Sequence, residues 1–263
     1  MIKHSIEPDL AAQGIWFVVN RGKIWLPQQQ LPKGKYEGLN IDGQPDQICW
    51  LGQSDELAVY LVVNNDYVEH EQDWVSAREL LPFGDSVFQF AARAVQVALF
   101  LQTHRFCGQC GSAMQLVTWE LAMLCHKCGH RCYPRIAPCV LVGIQHQGKI
   151  LLARSSRHRS GFYSILAGFV ESAETLEQAA IREVKEEVGI DICNLRYVGS
   201  QPWPFPHSLM TGFIADYAGG DIKCQPEEIE EAHWFDFSQL PEVPPLETLS
   251  GQIIQQLCNS SGN

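Results

Sequence analysis

Apolar residues recur at helical spacing in the segment between Thr175 and Gly189. Most are three or four positions apart, which predicts an amphipathic helix with one flank on a core. These apolar positions are Leu176, Ala180, Ile181, Val184 and Val188. Thr175 and Gln178 form a capping box at one end, and Gly189 supplies a left-handed stop at the other. The pattern therefore predicts a helix with both ends marked.

Apolar, β-branched segments surround this helix along the chain. We expect strands at residues 138–144, 149–154, 195–201, 209–217 and 231–237, a β-rich run over 162–170, and a closing helix from 245 or 246 to 258. Strands on both sides of a central helix, followed by a second helix, predict an α/β/α sandwich. This domain is expected to occupy residues 134–263.

The first part of the chain has strand and turn signals of its own. Apolar runs at 14–19, 23–26 and 57–63 predict strands, with a hairpin turn at 20–22. A long apolar helix is expected from Asp85 or Ser86 to Thr103. Residues 1–104 show no catalytic motif and are expected to form an N-terminal α/β domain. The whole chain is therefore expected to be of the α+β class.

Composition narrows the class of protein. The 263 residues are 46% hydrophobic and 19% charged, which is typical of a globular chain. The formal net charge of −11 argues against general binding to nucleic acid or an anionic membrane, since both need a basic surface. The start of the chain has no signal-peptide pattern, and no apolar run approaches about 18 residues. A cytoplasmic location is expected.

Four of the ten cysteines form two closely spaced pairs. Cys107 and Cys110 are separated by two residues, as are Cys125 and Cys128, and fourteen residues lie between the pairs. Two such knuckles can aim four thiolates at one point, as in a zinc ribbon. Four protein ligands leave no open position on the metal, so we expect a structural zinc ion within residues 105–133.

Three glutamates crowd one flank of the predicted helix. Glu183, Glu186 and Glu187 are spaced i,i+3 and i,i+4, where like charges destabilise a helix by roughly 0.2–0.5 kcal/mol per pair. Either the flank is a solvated acidic face or it holds a cation. Arg182 is spaced to orient Glu186, and Glu174 could brace the preceding loop; surface pairing is the alternative for both.

The fixed positions of this region resemble the Nudix box without a departure. The segment GFVESAETLEQAAIREVKEEVGI, residues 168–190, matches the pattern of a glycine, five residues, a glutamate, seven residues and REUxEExGU, in which U is aliphatic. Downstream, residues 200–208 read SQPWPFPHS. Three prolines alternating with aromatic residues predict a stiff, extended backbone, either a rigid aromatic corner or a platform for stacking a base. The sequence of this segment resembles the signature motif of NADH pyrophosphatases within the Nudix superfamily.

The resemblance implies a reaction and a set of cofactors. It implies hydrolysis of the pyrophosphate of NADH or NAD to nicotinamide mononucleotide and AMP, with NAD-capped RNA as a second substrate, in a homodimer with a shared site. Magnesium or manganese would be held by Glu183 and Glu187, by the carbonyl of Ala167, and by Glu228, for which Glu227 and Glu231 compete. Glu187 is the first choice for the general base, although a metal ligand and a base compete for the same side chain.

The resemblance also assigns substrate contacts. Contacts with the nicotinamide side of the substrate would be made by Arg78 and Tyr133, with Glu120 and Ser250 as further candidates. The second motif would add Gln201, Pro202, Trp203, Pro204, Phe205, Pro206, His207 and Ser208. Two other functions stay open: a Nudix hydrolase for another substrate such as ADP-ribose or a nucleoside triphosphate, and a non-catalytic zinc-ribbon binding protein.

Overall fold

The computed structural model describes residues 7–39, 41, 47–55, 57–64, 71–156 and 159–260. The chain divides into two compact units, Met1–Arg135 and Ile136–Asn263. Among the residues described, no helix combines the length and apolar character that crossing a bilayer requires.

The first unit contains nine strands and one long helix among its described residues. They are β1 (Gly14–Asn20), β2 (Lys23–Trp25), β3 (Lys33–Gly34), β4 (Gln47–Ser54), β5 (Leu57–Val63), β6 (Trp74–Ser76), β7 (Gln115–Leu116), β8 (Met123–Leu124), β9 (Arg131–Cys132) and α1 (Asp85–Thr103). One sheet has the order β4-β5-β1-β2-β6, with β3 on β1, and α1 packs against it. The predicted hairpin of β1 and β2 and the predicted helix are confirmed.

The pattern missed β4. This strand pairs antiparallel with β5 and carries a bulge between Trp50 and Gly52. Glutamine, glycine and serine interrupt its apolar residues, so the alternation is weak, and its stability comes from the partner strand.

The ribbon segment folds into a small sheet in the order β7-β8-β9. Of residues 119–124, only Met123 and Leu124 are extended. Val117 N–H donates to the carbonyl of Ala122 at 3.0 Å, which closes a tight turn in between. Trp119 lies in that turn and is 58% exposed.

The second unit is a sheet between two helices. Its elements are β10 (Ala137–His146), β11 (Lys149–Ser155), β12 (Leu166–Phe169), α2 (Leu176–Val188), β13 (Asp191–Trp203), β14 (Ser208–Gly219), β15 (Ile229–Asp236) and α3 (Leu249–Ser260). The sheet has the order β13-β14-β10-β11-β15, and β12 pairs with β10. Val140 and Val142 of β10 pack with α2, whereas Leu141 packs with α3 on the opposite face. The predicted α/β/α sandwich is confirmed.

Two boundaries in this unit differ from expectation. Within the run 162–170, only Leu166–Phe169 is a strand. The last helix begins at Leu249 rather than at 245 or 246, because the Thr248 hydroxyl accepts a hydrogen bond from Gly251 N–H at 3.1 Å. Thr248 thus caps the helix after two prolines, which lack the N–H groups that a helix interior requires.

Candidate active site

The helix α2 places three glutamates beside the strand β12. Both bonds of the Thr175–Gln178 capping box are present, and Gly189 ends the helix with φ +77°, as predicted. The buried face consists of Ala179, Ala180, Val184, Glu187 and Val188. Ile181 was expected on this face but is 50% exposed. The buried face is centred on Ala180, Val184 and Val188, which are four residues apart, and Ile181 lies to one side of that line. A glutamate, not an isoleucine, completes the buried flank.

Glu187 is buried without full compensation. It is 5% exposed, and its Oε2 atom has no hydrogen-bond partner within the described part of the chain. Burial and then the charges of Glu183 and Glu228 raise the pKa of Glu187 to about 8, and a backbone hydrogen bond with Ala167 opposes this. A cation at this point would remove the cost of ionising the group.

Glu183 lies directly over the backbone of β12. A Cβ atom added to Gly168 would stand 1.8 Å from the carboxyl carbon of Glu183, so only glycine leaves room for this carboxylate. Burial raises the pKa of Glu183, and Arg182 opposes the shift. The glycine therefore lets a helix carboxylate approach the strand that also carries Ala167.

Replacing Gly168 by alanine is expected to lower the turnover number of this site about a hundredfold. The added methyl would displace Glu183, and a shift of about 1 Å at a reacting centre can cost this much. Gly199→Ala is the matched control, since its Cβ would meet its nearest neighbour, Leu249, at 3.7 Å. Steady-state kinetics of both variants decide the matter. Unaltered turnover in Gly168→Ala would refute the placement of Glu183.

Arg182 ties the helix to the loop before it. Its Nε and Nη2 atoms donate to the two oxygens of Glu174 at 2.8 and 2.9 Å, and its Nη1 atom donates to Glu186 at 2.9 Å. Nη2 also donates to the carbonyl of Phe169 at 2.9 Å. Glu174 in turn accepts a hydrogen bond from Glu171 N–H. The hydrogen bond from Arg182 first, and the one from Glu171 second, lower the pKa of Glu174 to about 2. The expected bracing and orienting contacts of Arg182 and Glu174 are therefore present.

A fourth carboxylate approaches from the turn before β15. Burial is the first cause of the raised pKa values of Glu183 and Glu187, and the charge of Glu228 raises both further. Glu231 instead accepts a hydrogen bond from the Arg154 Nε atom at 2.7 Å. Glu227 is exposed. Of the three competitors, Glu228 is the one whose charge acts on both helix carboxylates.

Together these groups fit a hard divalent cation. Carboxylate oxygens are the donors that magnesium and manganese prefer, and the carbonyl of Ala167 stays the predicted further ligand. The unpartnered Oε2 of buried Glu187 and the crowding of like charges are what such an ion would compensate.

The segment 200–208 forms the tip of a hairpin, in which residues 200–203 are extended and residues 204–207 form the turn. Trp203 ends β13 and pairs with Ser208 of β14, with a turn between them that contains a cis peptide bond before Pro206. The rings of Trp203 and Phe205 meet edge to face, 5.1 Å apart and inclined at 71°. The expected extended backbone is therefore confirmed for residues 200–203 and wrong for residues 204–207.

Gln201 joins this hairpin to the last helix. Its amide nitrogen donates to the Glu247 carbonyl at 2.8 Å, and its amide oxygen accepts from Leu249 N–H at 2.9 Å. Both ends of the side chain are thus engaged with the backbone before α3. Ser250 lies in the first turn of that helix, so the structure brings this candidate near Gln201.

Comparison with known proteins identifies the family. A family model described as NUDIX domain matches residues 133–257, and one described as NADH pyrophosphatase zinc ribbon domain matches residues 102–133. The chain is 46% identical to a protein of Edwardsiella ictaluri named NAD-capped RNA hydrolase NudC, over 92% of each chain. It is 48% identical to the protein of that name from Pectobacterium atrosepticum, over 92% of this chain and 91% of the relative. The chain belongs to the NudC family of Nudix hydrolases.

A solved structure shares the fold. The NUDIX hydrolase of Nitrosomonas europaea aligns with a TM-score of 0.51 and 22% identity, over 59% of this chain and 91% of that one.

The ribbon of this NudC-family chain carries a zinc site of the predicted composition. The sulfurs of Cys107, Cys110, Cys125 and Cys128 lie within 4.8 Å of one another. The pairs Cys107–Cys128 and Cys110–Cys125 are 3.6 and 3.5 Å apart. Tetrahedral Zn–S bonds of about 2.3 Å place sulfurs about 3.8 Å apart, so the four thiolates fit structural zinc.

Three candidate substrate contacts lie in the first unit. Glu120 accepts hydrogen bonds from Arg131 at 3.1 Å and from the Tyr133 hydroxyl at 3.5 Å, so two of the candidates are in contact. Tyr133 is 53% exposed. Arg78 has an exposed side chain in the 3₁₀ segment Ala77–Phe83, whose start is capped by Ser76. Substrate contacts by these residues stay predictions.

Phe169 is an exposed residue that the sequence analysis did not single out. It follows Gly168 in β12 and is 56% exposed, while its carbonyl accepts from Arg182. The available signal was its position: Leu166 and Gly168 are buried, and strand alternation turns Ala167 and Phe169 to the other side of β12, where both are exposed.

Proposed function

We propose that this protein hydrolyses the pyrophosphate bond of NADH and NAD, giving nicotinamide mononucleotide and AMP, and removes NAD caps from RNA 5′ ends by the same reaction. The observation that carries the proposal is the carboxylate cluster around the unpartnered Oε2 of Glu187. The names of the NudC relatives support the choice of substrate.

The catalytic cofactor is magnesium or manganese. Glu183, Glu187, Glu228 and the carbonyl of Ala167 would hold it. A bound divalent ion neutralises charge on the diphosphate and lowers the pKa of water. Arg182 holds Glu186 toward solvent, and Glu174 fixes Arg182 in turn. Oε2 of Glu187 is the atom open to a metal ion or to the proton of an attacking water.

Phe169 supplies a flat apolar face for one ring of the dinucleotide. Stacking of a base on an aromatic side chain contributes about 1–3 kcal/mol. Phe169→Ala is therefore expected to raise KM for NADH about tenfold with a smaller change in kcat. Ile181→Ala removes another exposed apolar side chain of the same unit and serves as the control. If both variants shift KM equally, Phe169 has no specific contact with substrate.

The working assembly is a homodimer in the cytoplasm, with Arg78, Glu120 and Tyr133 as substrate contacts at a site shared between subunits. None of the ten cysteines, all of which lie in the described part of the chain, is in a disulfide, and four of them converge as zinc ligands, which suits a reducing compartment. Light scattering after size-exclusion chromatography tests the dimer, for which a mass of one chain, 29.6 kDa, would be the opposing result.

A panel of substrates separates this function from its alternatives. Purified protein is incubated with NADH, NAD-capped RNA, ADP-ribose and a nucleoside triphosphate, each with Mg²⁺ or Mn²⁺. We expect the highest kcat/KM on NADH or NAD-capped RNA. Turnover of ADP-ribose or a triphosphate without cleavage of NADH would indicate another Nudix substrate. Inactivity on all four would indicate a binding protein, a function that the self-repelling carboxylates disfavour.

A further inference from the structure

The turn that carries Glu228 is attached to the end of α2. Gln225 N–H donates to the Glu187 carbonyl at 2.9 Å. The Gln225 carbonyl then accepts from Glu228 N–H at 3.1 Å and from Ile229 N–H at 2.9 Å. These bonds fix the entrance of the turn relative to the helix carboxylates.

The exit of the same turn contains a β-bulge. In the pairing of β11 with β15, Arg154 lies opposite Glu231 and Ser155 lies opposite Ile229, so Glu230 is the extra residue. A bulge bends its strand and redirects neighbouring side chains, and bulges are frequent beside active sites. This one lies two residues after Glu228.

One side chain holds both carboxylates of the bulge. Arg154 donates from Nε to Glu231 at 2.7 Å, and its Nη1 atom pairs with Glu230. The arginine side chain is only 17% exposed, compared with 42% for Glu230. Its planar fork can bind two carboxylates at once, which a lysine ammonium does less well.

Without this cation, the segment would be self-repelling. Glu228, Glu230 and Glu231 lie within four consecutive positions, and Arg154 is the first cause of the low pKa of Glu231, about 2. Without Arg154, the Tyr163 hydroxyl and His233 would be the remaining hydrogen-bond partners of Glu231 among the causes of its low pKa.

We propose that Arg154 is a positioning residue for the metal site, which it serves by holding the bulge at Glu230 so that Glu228 faces Glu183 and Glu187. The proposal rests on the proposed function in assigning Glu228 as a metal ligand. Residues that orient metal ligands typically change affinity for the ion by about 10–100-fold when they are replaced.

The test measures Mn²⁺ binding to the zinc-loaded protein without substrate, by the loss of the electron paramagnetic resonance signal of free Mn²⁺. Arg154→Gln is expected to weaken binding about tenfold, and Arg154→Lys less, because it keeps the charge. Arg196→Gln is the matched control. Arg196 pairs with Asp216 at 3.3 Å, and its strand β13 is at the opposite edge of the sheet from β15.

A double variant separates positioning from general destabilisation. If Arg154 acts through Glu228, then Arg154→Gln adds little to the loss caused by Glu228→Gln. Full additivity, or unaltered Mn²⁺ affinity in Arg154→Gln, would overturn the proposal. If Arg154→Gln does not fold, the Mn²⁺ affinity of Arg154→Lys is compared in the same way, with and without Glu228→Gln.

The outcome is distinguishable from failure of the proposed function. A wild-type protein that binds Mn²⁺ but does not cleave NADH contradicts the proposed substrate, whereas the ratio of Mn²⁺ affinities still decides the role of Arg154. A wild-type protein with no measurable Mn²⁺ site overturns the positioning role itself.

Discussion

Glu187→Gln is expected to lower kcat for NADH by a factor of about 10³–10⁴. A metal ligand and a proton acceptor both need the carboxylate, and loss of a positioned base alone costs about 10²–10⁴. The amide keeps the size of the side chain, so the loss would report charge rather than packing. Glu227→Gln, at an exposed position of the turn before β15, is the control and should retain activity. Near-normal turnover in Glu187→Gln would remove this residue from both roles.

The same substitution should stabilise the protein when magnesium and manganese are absent. Burial first, and neighbouring carboxylates second, raise the pKa of Glu187 from 4.5 to about 8. The folded state therefore loses stability as pH rises from 4.5 through 8, whereas the glutamine variant escapes this loss. We expect the variant to have the higher melting temperature at pH 8 and a smaller advantage at pH 5. Added Mn²⁺ should raise the melting temperature of the wild type alone.

Cys125→Ser is expected to abolish the ribbon fold. Each strand of the ribbon sheet has two residues, which bury too little apolar surface to order the segment without metal. Structural zinc contributes about 10–16 kcal/mol of apparent binding free energy in small ribbons and fingers. Zinc content should fall from about one ion per chain to none, and limited proteolysis should cut within residues 105–133.

Cys132→Ser is the matched control for zinc loss. Cys132 lies 3.3 Å from the His130 ring and is outside the four-sulfur cluster, so this variant should keep its zinc. A Cys125→Ser protein that retains zinc and resists proteolysis would contradict the assignment of the four ligands.

Local signals made the helix α2 predictable from sequence. The capping interactions of Thr175, Gln178 and Gly189 join residues that are close in sequence. The capping box and the left-handed stop could therefore be predicted without knowledge of the rest of the fold. The zinc ligands were predictable for the same reason, because the two-residue spacing within each cysteine pair is enough to define a knuckle. Fixed spacing also placed Arg182 against Glu186.

Contacts between distant segments explain what the sequence analysis missed. Ile181 is exposed and Glu187 is buried because the sheet, not the helix, decides which flank of α2 it covers. The Gln201 amide binds backbone 46 and 48 positions away, contacts that no local pattern indicates. The hydrogen bond from Arg154 to Glu231 joins residues 77 positions apart. It depends on strand pairing that no local pattern encodes.

Product analysis of NADH hydrolysis tests the central claim most directly. Wild-type protein with Mn²⁺ or Mg²⁺ should release AMP and reduced nicotinamide mononucleotide in equal amounts, resolved by chromatography. Removal of the divalent ion, or Glu187→Gln, should stop their release. The account would be contradicted if neither NADH nor NAD gave AMP, or if the Glu187→Gln protein released AMP at the wild-type rate.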